Sequence, residues 1–309
     1  MSVPKTVGSF DTITKRGHQR HTLERLRRYE DLGYGMFIHF GMSTYVNLAG
    51  KVYFKPDGSD PPSAYKPDAL DVDQWVCVAR DAGMKYAVLT AKHIAGFCLW
   101  PSKHSDYTVA AGGNTSDVVA QFVAACQRRG ILPGLYYSSY DNHHRYGSRT
   151  RSDFPGKQAY EQLAARRPRF GGRSCAREDD PERMPYTTAH YQTFQTAQIT
   201  ELMTEYGDIM EVWLDHPEVM GRGYRTYLYE YMARLQPDVV IMMNNGLPDS
   251  THYDVDYAWP ADLMAMEGGA PPPDGYCKWR TIEGREYYLP GEVCDSIAPI
   301  RQDWFYLDD

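Results

Sequence analysis

The sequence lacks the signatures of several common classes of protein. Its six cysteines show no CxxC spacing, which disfavours zinc clusters and thioredoxin-like redox sites. It contains no run of 18 apolar residues, so we expect no membrane-spanning helix. The common nucleotide-binding patterns, GxGxxG after the first predicted strand and GxxxxGK[ST], are also missing. A net charge of −7 argues against nucleic acid or an anionic membrane as the main partner, because both require a basic face.

The N-terminal residues lack the apolar region of a signal peptide. We therefore expect a cytoplasmic protein, or a secreted or periplasmic one if a signal peptide has been removed. The sequence leaves a homo-oligomer open.

The chain does have enough apolar residues for a large core. It is 309 residues long and 42% hydrophobic, which suits one large α/β domain or two small ones. It also contains 25 Tyr and 6 Trp. Aromatic rings in an acidic protein suit a neutral, polyhydroxylated ligand, but they also simply fill a large core. Both interpretations stay open at this point.

Short apolar runs alternate with amphipathic helical patterns along the chain. The runs predict parallel strands at 36–41, 85–93, 132–138, 209–215 and 239–243. The patterns predict helices at 73–82, 118–129, 186–206 and 224–235. Trp75, Val78, Ala79 and Ala82 are expected on one face of the first helix, while Cys77 and Cys126 are expected on buried faces. Asn114 to Asp117 supply the N-cap of the second helix, and Gly130 follows its end.

Polar residues follow the ends of these strands, at His39, His93, 136–138, Asp215 and Asn244. In a (β/α) barrel the carboxyl ends of the strands meet at one rim, where catalytic groups gather. We therefore favour a barrel over an open sheet.

Two regions break the strand and helix alternation. Residues 141–185 are rich in Arg and long enough to predict a rim insertion. We expect a single catalytic barrel domain over 1–309 that carries this insertion. Beyond residue 245 the pattern weakens, and we predict only a sixth strand at 253–259.

Asp215 is the main candidate for a catalytic carboxylate. It follows the apolar run IMEVWL, so a rigid strand would present it to a site. A helix N-cap or a loop carboxylate before Pro217 is the alternative. His39 and His93 occupy equivalent strand ends, where an imidazole can hydrogen-bond sugar hydroxyls. A metal site of His39, His93, Asp215 and His216 is a competing hypothesis, although the sequence has no HExxH helix.

Several segments, in order from about residue 25 to 306, resemble glycoside hydrolase family 29, the α-L-fucosidases. FIHFG is similar to the family's FIHWG, and the segment containing TAKHIAGFCLW is similar to TxKHHDGFxLW. The run ending in GLYYS, the run ending in WLD, and LPGEVCDSI followed by WFY are also similar to family segments.

The resemblance implies a retaining exo-glycosidase on a (β/α) barrel that needs no cofactor and acts on a carbohydrate or glycoconjugate. Asp215 matches the nucleophile, His39 and His93 match sugar-binding histidines, and Tyr136 matches a pocket tyrosine. Trp100 and Trp213 flank these motifs and are expected to line the site.

The chain departs from the family pattern in three places. Ile94 and Ala95 stand where the family has His and Asp, and no Arg occurs in MMNNGLPDS after the fifth strand. The family's LLLN-like strand does not follow WFY, so we expect a barrel that is incomplete at its C-terminus or closes differently. A catalytically weak sugar-binding barrel is therefore the alternative function, with a barrel metallohydrolase behind it.

The acid/base residue varies in the family and falls in the irregular region. Glu267 is our first choice, because it lies after the predicted sixth strand in a Pro- and Gly-rich segment that can fold over the rim. Asp262 and Glu292 are the alternatives.

Overall fold

A computed structural model of the chain describes residues 16–46, 58–144, 189–217, 220–244, 259–267, 275, 277–297 and 304–305. Within them the helices are α1 (Leu23–Glu30), α2 (Met42–Val46), α3 (Val72–Asp81), α4 (Val118–Arg129), α5 (Ala189–Thr204) and α6 (Arg222–Leu235). The strands are β1 (Gly35–Ile38), β2 (Tyr86–Lys92), β3 (Leu132–Ser138), β4 (Glu211–Asp215), β5 (Val240–Met243), β6 (Met264–Glu267), β7 (Trp279–Ile282), β8 (Arg285–Tyr288) and β9 (Gly291–Cys294). Short 3₁₀ turns occupy Pro62–Ala64 and Val109–Ala111.

The first five strands form a parallel sheet in the order β1-β2-β3-β4-β5. Along the chain, α3 lies between β1 and β2, α4 between β2 and β3, α5 between β3 and β4, and α6 between β4 and β5, as in successive β-α units. The five strands predicted from apolar runs are confirmed, with shifts of a few residues at their ends.

The parallel order continues past β5 through a bridge between Met242 and Leu263 and then the parallel pair β6-β9. Between β6 and β9 the described residues form the antiparallel hairpin β7-β8. This succession of parallel strands with helices outside them is the (β/α) barrel that the sequence predicted. Among the described residues no backbone ladder joins β9 to β1. Side-chain hydrogen bonds connect β9 to the start of the barrel instead: the carboxyl group of Glu292 on β9 accepts hydrogen bonds from the hydroxyls of Tyr29 on α1 and Tyr86 on β2.

Alternation along the strands separates two packed layers. One face of the strands packs against the helices and includes Leu89, Leu135, Val212 and Ile241. The other face fills the barrel interior and includes Val88, Tyr136, Trp213, Val240 and Met242. Because side chains alternate with a period of two, Asp215 points inward like Trp213, and Asn244 points inward like Met242.

The predicted face of α3 is wrong in part. The helix buries Val72, Val76 and Ala79, which share one face at a spacing of four and three residues. Val78 lies on another face and is 46% exposed. The predicted burial of Cys77 is only partial, whereas Cys126 on α4 is fully buried as expected.

The predicted ends of α4 are confirmed. The side chain of Asp117 accepts a hydrogen bond from the backbone N–H of Ala120, which satisfies a free donor in the first turn. Gly130 ends the helix in the left-handed conformation, at a φ of 70°, which glycine adopts without steric cost.

Two predicted features lie largely outside the described residues. Of the rim insertion at 141–185, only 141–144 is described. Of the predicted sixth strand at 253–259, only Trp259 is described, so this prediction stays untested; among the described residues the next strand after β5 is β6. No helix in the described part of the chain is long and apolar enough to cross a membrane.

Candidate active site

A pocket of about 280 Å³, including its open mouth, lies at the carboxyl ends of the barrel strands. Its walls combine aromatic rings, two imidazoles and two carboxyl groups. The lining residues are Phe37, His39, His93, Tyr136, Trp213, Asp215, Glu267, Cys294 and Trp304. Six of the seven predicted site residues therefore line one pocket, and Trp100 does not.

Asp215 ends β4, and three groups hold its carboxylate. The hydroxyl of Tyr136 donates to Oδ2 at 2.5 Å, and the amide of Asn244 donates to Oδ1 at 2.9 Å. The backbone N–H of His216 also donates to Oδ1, at 2.9 Å. Burial, followed by the negative charge of Asp215, raises the pKa of Tyr136 well above its ordinary value, so this hydroxyl remains a donor. The carboxylate is thus fixed on a rigid strand with its charge compensated by hydrogen bonds.

His216 follows Asp215 in a conformation that non-glycine residues rarely adopt, with a φ of 58°. Its Nδ1 lies 3.2 Å from Oδ2 of Asp215 and 3.3 Å from Oγ of Ser138. Backbone strain of this kind concentrates at functional sites. Within the described structure no three of His39, His93, Asp215 and His216 bring ligand atoms together as a metal site requires.

Glu267 ends β6 and faces the same pocket. Its Oε2 accepts from Nδ2 of Asn244 at 2.7 Å, so Asp215 and Glu267 share one amide nitrogen. Burial, and then the negative charge of Asp215, raises the pKa of Glu267 to about 7, partly offset by the hydrogen bond from Asn244. Near neutral pH a large share of Glu267 is therefore protonated.

The two alternative carboxyl groups lie elsewhere. Asp262 pairs with Arg20, accepts from Tyr229 at 2.5 Å and from the backbone N–H of Ile241 at 2.9 Å. These contacts tie the segment before β6 to α6 and to the N-terminal part of the chain.

Glu292 lies inside the barrel below the pocket. On β9 it is paired with Ala265, whereas Cys294, which lines the pocket, is paired with Glu267. It accepts hydrogen bonds from Tyr29 at 2.9 Å and Trp213 at 3.4 Å. The register therefore brings Glu267, and neither alternative, to the level of Asp215.

Aromatic rings surround the two histidines. His39 stacks between Phe37, at 4.6 Å, and Trp304, at 5.2 Å. Burial disfavours the imidazolium and lowers the pKa of His39 to about 3. His93 stacks on Tyr136 at 5.5 Å. A neutral imidazole offers one donor and one acceptor, which suits a sugar hydroxyl.

Trp100 lies in the outer layer of the barrel. Its ring is 1% exposed among residues packed between the sheet and the helices, and its Nε1 donates to Glu201 on α5 at 2.8 Å. The loop after β2 turns outward here, so the expected place in the pocket is wrong for this tryptophan. Ile94 and Ala95, the two departures in the same segment, are also buried.

Sequence reasoning missed four contributions to the site. Phe37 and Cys294 lie two residues from His39 and Glu292 on their strands, so strand alternation could have indicated them. Trp304 belongs to the WFY segment, but only the fold brings it onto His39. Asn244 was placed at a strand end, yet its position between the two carboxyl groups depends on how β4, β5 and β6 are arranged.

Comparisons with known proteins agree with this geometry. Residues 11–283 match the model of the family described as alpha-L-fucosidase. Alpha-L-fucosidase 1 of Arabidopsis thaliana is 33% identical over 69% of this chain and 35% of its own length. A putative alpha-L-fucosidase 1 of rice, Oryza sativa subsp. japonica, is 34% identical over 87% of this chain and 43% of its own length.

A crystal structure of a putative alpha-L-fucosidase from Bacteroides thetaiotaomicron superimposes with a TM-score of 0.61 at 27% identity, covering 87% of this chain and 53% of that one. Compared with the two plant relatives, the chain matches less than half of their length. With a family match over most of the sequence and the same barrel in a solved relative, the chain belongs to the α-L-fucosidase family.

Proposed function

We propose that this chain is the catalytic barrel of a retaining exo-α-L-fucosidase. One observation carries the proposal: Asp215 and Glu267 meet across a single amide in an aromatic pocket, and the pKa of Glu267 is raised to about 7. Nδ2 of Asn244 lies 2.9 Å from Oδ1 of Asp215 and 2.7 Å from Oε2 of Glu267. These two carboxyl oxygens are therefore at most about 5.6 Å apart. A retaining enzyme separates its carboxyl groups by about 5–5.5 Å, whereas an inverting one needs room for a water.

The mechanism assigns each carboxyl group one task in each step. Asp215 attacks the anomeric carbon while Glu267 gives its proton to the departing glycosidic oxygen, so the C–O bond breaks as the glycosyl–Asp215 ester forms. Glu267, now ionised, takes a proton from water. That water attacks the anomeric carbon from the opposite face and frees Asp215. The sugar leaves with its original configuration.

The rest of the pocket suits a terminal deoxy sugar. The rings of Phe37, Trp213 and Trp304 offer apolar surface for the C–H faces and methyl group of a 6-deoxy hexose. The imidazoles of His39 and His93 provide donors and acceptors for its hydroxyls. We treat 1–309 as one catalytic domain with a rim insertion at about 141–185, in keeping with the sequence prediction.

The test is hydrolysis of 4-nitrophenyl α-L-fucoside by the purified chain, with α-L-fucose as the first product in an NMR time course. Asp215→Gly should lose on the order of 10³-fold or more in turnover while it stays folded. Asp208→Asn, an exposed carboxyl change just before the same strand, is the control and should keep its activity.

A slow 2-fluoro fucoside should label Asp215 covalently, as mass spectrometry of peptides would show. A chain that binds fucose but hydrolyses no aryl fucoside would support the weak sugar-binding barrel instead. Near-normal turnover by Asp215→Gly would remove this residue from the mechanism.

A further inference from the structure

A second cluster of ligand-type side chains lies on the barrel rim, outside the pocket. Asp106 comes from the loop after β2, and His143 and His144 come from the loop after β3. Nε2 of His143 lies 3.3 Å from Oδ1 of Asp106, and Nε2 of His144 lies 3.8 Å from the same oxygen. One ligand atom from each of the three lies within 4.8 Å of the other two.

Hydrogen bonds fix which nitrogen of each ring carries a proton. Nδ1 of His143 lies 2.7 Å from the carbonyl oxygen of Gly58, which can only accept, so this nitrogen donates. Nδ1 of His144 lies 3.0 Å from Oδ1 of Asp141, while Lys92 donates to the other oxygen of that carboxylate at 3.0 Å. In the neutral form of either ring, Nε2 therefore carries the lone pair.

The arrangement brings two imidazole nitrogens and a carboxylate oxygen within 4.8 Å of one another. A cation stabilises such a set, either a proton on an imidazole or a metal ion between the members, and Oγ of Ser105 also lies 3.4 Å from Nε2 of His144. In tetrahedral zinc sites, with bonds of about 2.0–2.2 Å, neighbouring ligand atoms lie about 3.4 Å apart, close to the distances found here. A second hydrogen bond from each ligating ring to a carbonyl or carboxylate is also usual in zinc sites.

We propose that Asp106, His143 and His144 bind one Zn²⁺ ion through Oδ1 and the two Nε2 atoms. Two imidazoles and a carboxylate form a donor set that suits zinc and similar divalent transition metals. The side chain of Asp106 is 88% exposed, so solvent can supply the fourth ligand. The ion lies outside the catalytic pocket and joins two rim loops.

The ligands are held in place before any metal arrives. The ring of His143 stacks on Tyr107 at 4.1 Å, with only 6° between the planes. The backbone N–H groups of Asn142 and His143 donate to the carbonyls of Ile94 and Ala95 at 2.9 and 3.2 Å. The zinc would therefore bind a rigid site and add a further link between these loops.

The local backbone also depends on a glycine. Gly96 has a φ of 89°, and a Cβ at this position would lie 2.2 Å from Oδ1 of Asp141. Only glycine allows Asp141 to come close enough to orient His144. Asp141 also connects the proposed site to Lys92, which lies next to His93 in the sequence.

The experiment uses the full chain after removal of metals with a chelator. Isothermal titration with Zn²⁺ gives stoichiometry and affinity, thermal melts give stability, and the visible spectrum after Co²⁺ addition reports coordination. Asp106→Asn, His143→Ala and His144→Ala test the ligands. His104→Ala is the matched control, because this half-exposed histidine lies near Glu201 and outside the cluster.

We expect the wild type and His104→Ala to bind one Zn²⁺, melt at a higher temperature with zinc, and give the intense Co²⁺ bands of tetrahedral coordination. Each ligand variant should bind zinc at least about 10-fold more weakly and lose those bands. Asp106→Asn keeps the test valid if a histidine variant fails to fold, because its side chain is exposed. Unchanged zinc affinity in Asp106→Asn and His143→Ala, or no saturable binding by the folded wild type, would overturn the proposal.

Discussion

The carboxyl groups of Asp215 and Glu267 accept hydrogen bonds from the same nitrogen, Nδ2 of Asn244, at 2.9 and 2.7 Å. Asp215 ends β4, Glu267 ends β6, and Asn244 follows the strand between them. Burial, and then the negative charge of Asp215, disfavour the ionised form of Glu267, so Glu267 retains its proton to a higher pH than an ordinary glutamic acid.

The activity should fall as the pH rises through about 7. In the proposed mechanism Glu267 gives a proton to the leaving group, so it would act only while protonated, and its pKa is raised to about 7. The pH profile of kcat/KM with an aryl fucoside should therefore show an alkaline limb near pH 7. Glu267→Gln should lose that limb and should lose far more activity on a disaccharide than on an activated aryl fucoside.

Asp262→Asn is the comparison for this profile, because Asp262 contacts Arg20 and Tyr229 outside the pocket. It should lower the melting temperature and keep the alkaline limb. If the alkaline limb disappeared in Asp262→Asn and stayed in Glu267→Gln, the acid role would belong to Asp262 rather than to Glu267.

Glu267→Gln should stabilise the fold above neutral pH. The folded pKa of about 7 lies above the ordinary value of 4.5, so the folded state holds this proton more tightly than the unfolded state does. The contribution of Glu267 to the free energy of unfolding of the wild type is therefore fully present below pH 4.5 and is lost as the pH rises through about 7. The neutral amide avoids that loss, which amounts to at most about 3 kcal/mol for a shift of this size.

Urea unfolding at pH 8 and at pH 4.5 measures the difference. The advantage of Glu267→Gln should be large at pH 8 and small at pH 4.5. An equal advantage at both values would show that the gain comes from packing rather than from charge.

Asn244→Ala should lower turnover and move the alkaline limb to higher pH. The amide donates to Glu267 and so lowers its pKa, and its loss raises that pKa further. Loss of a hydrogen bond to a charged group costs about 1.5–3 kcal/mol, or roughly 10- to 150-fold in kcat/KM. The full pH profile provides the check, and a limb that shifts to lower pH would contradict this account.

Trp213→Phe and Trp100→Phe should separate binding from stability. Trp213 lines the pocket, so its change should raise KM for the aryl fucoside several-fold. Trp100 donates to Glu201 between the sheet and α5, so its loss should cost about 1–3 kcal/mol in the free energy of unfolding and leave KM unchanged. Steady-state kinetics and urea unfolding of both variants test this prediction. A raised KM in Trp100→Phe would indicate that Trp100 contributes to substrate binding after all.

The local sequence predicted much of the barrel. Apolar runs indicated β1 to β5, because a strand buried on both faces requires consecutive apolar residues. Asp215 at the end of IMEVWL was predicted at a strand end, and the five-strand sheet places it there. Cap chemistry at Asp117 and Gly130 located α4, because these residues act within one helical turn.

The sequence alone determined the parallel strands, the rim that gathers their ends, and Asp215 on that rim, because these depend on contacts within a few residues. Only the tertiary structure separated Glu267 from Glu292, since both lie in short strands and the β6-β9 register decides which one reaches the pocket. It also placed Trp100 between the sheet and the helices, and Trp304 onto His39. Such contacts join residues far apart in the chain, and their geometry is set by the packing of whole strands and loops rather than by any local pattern.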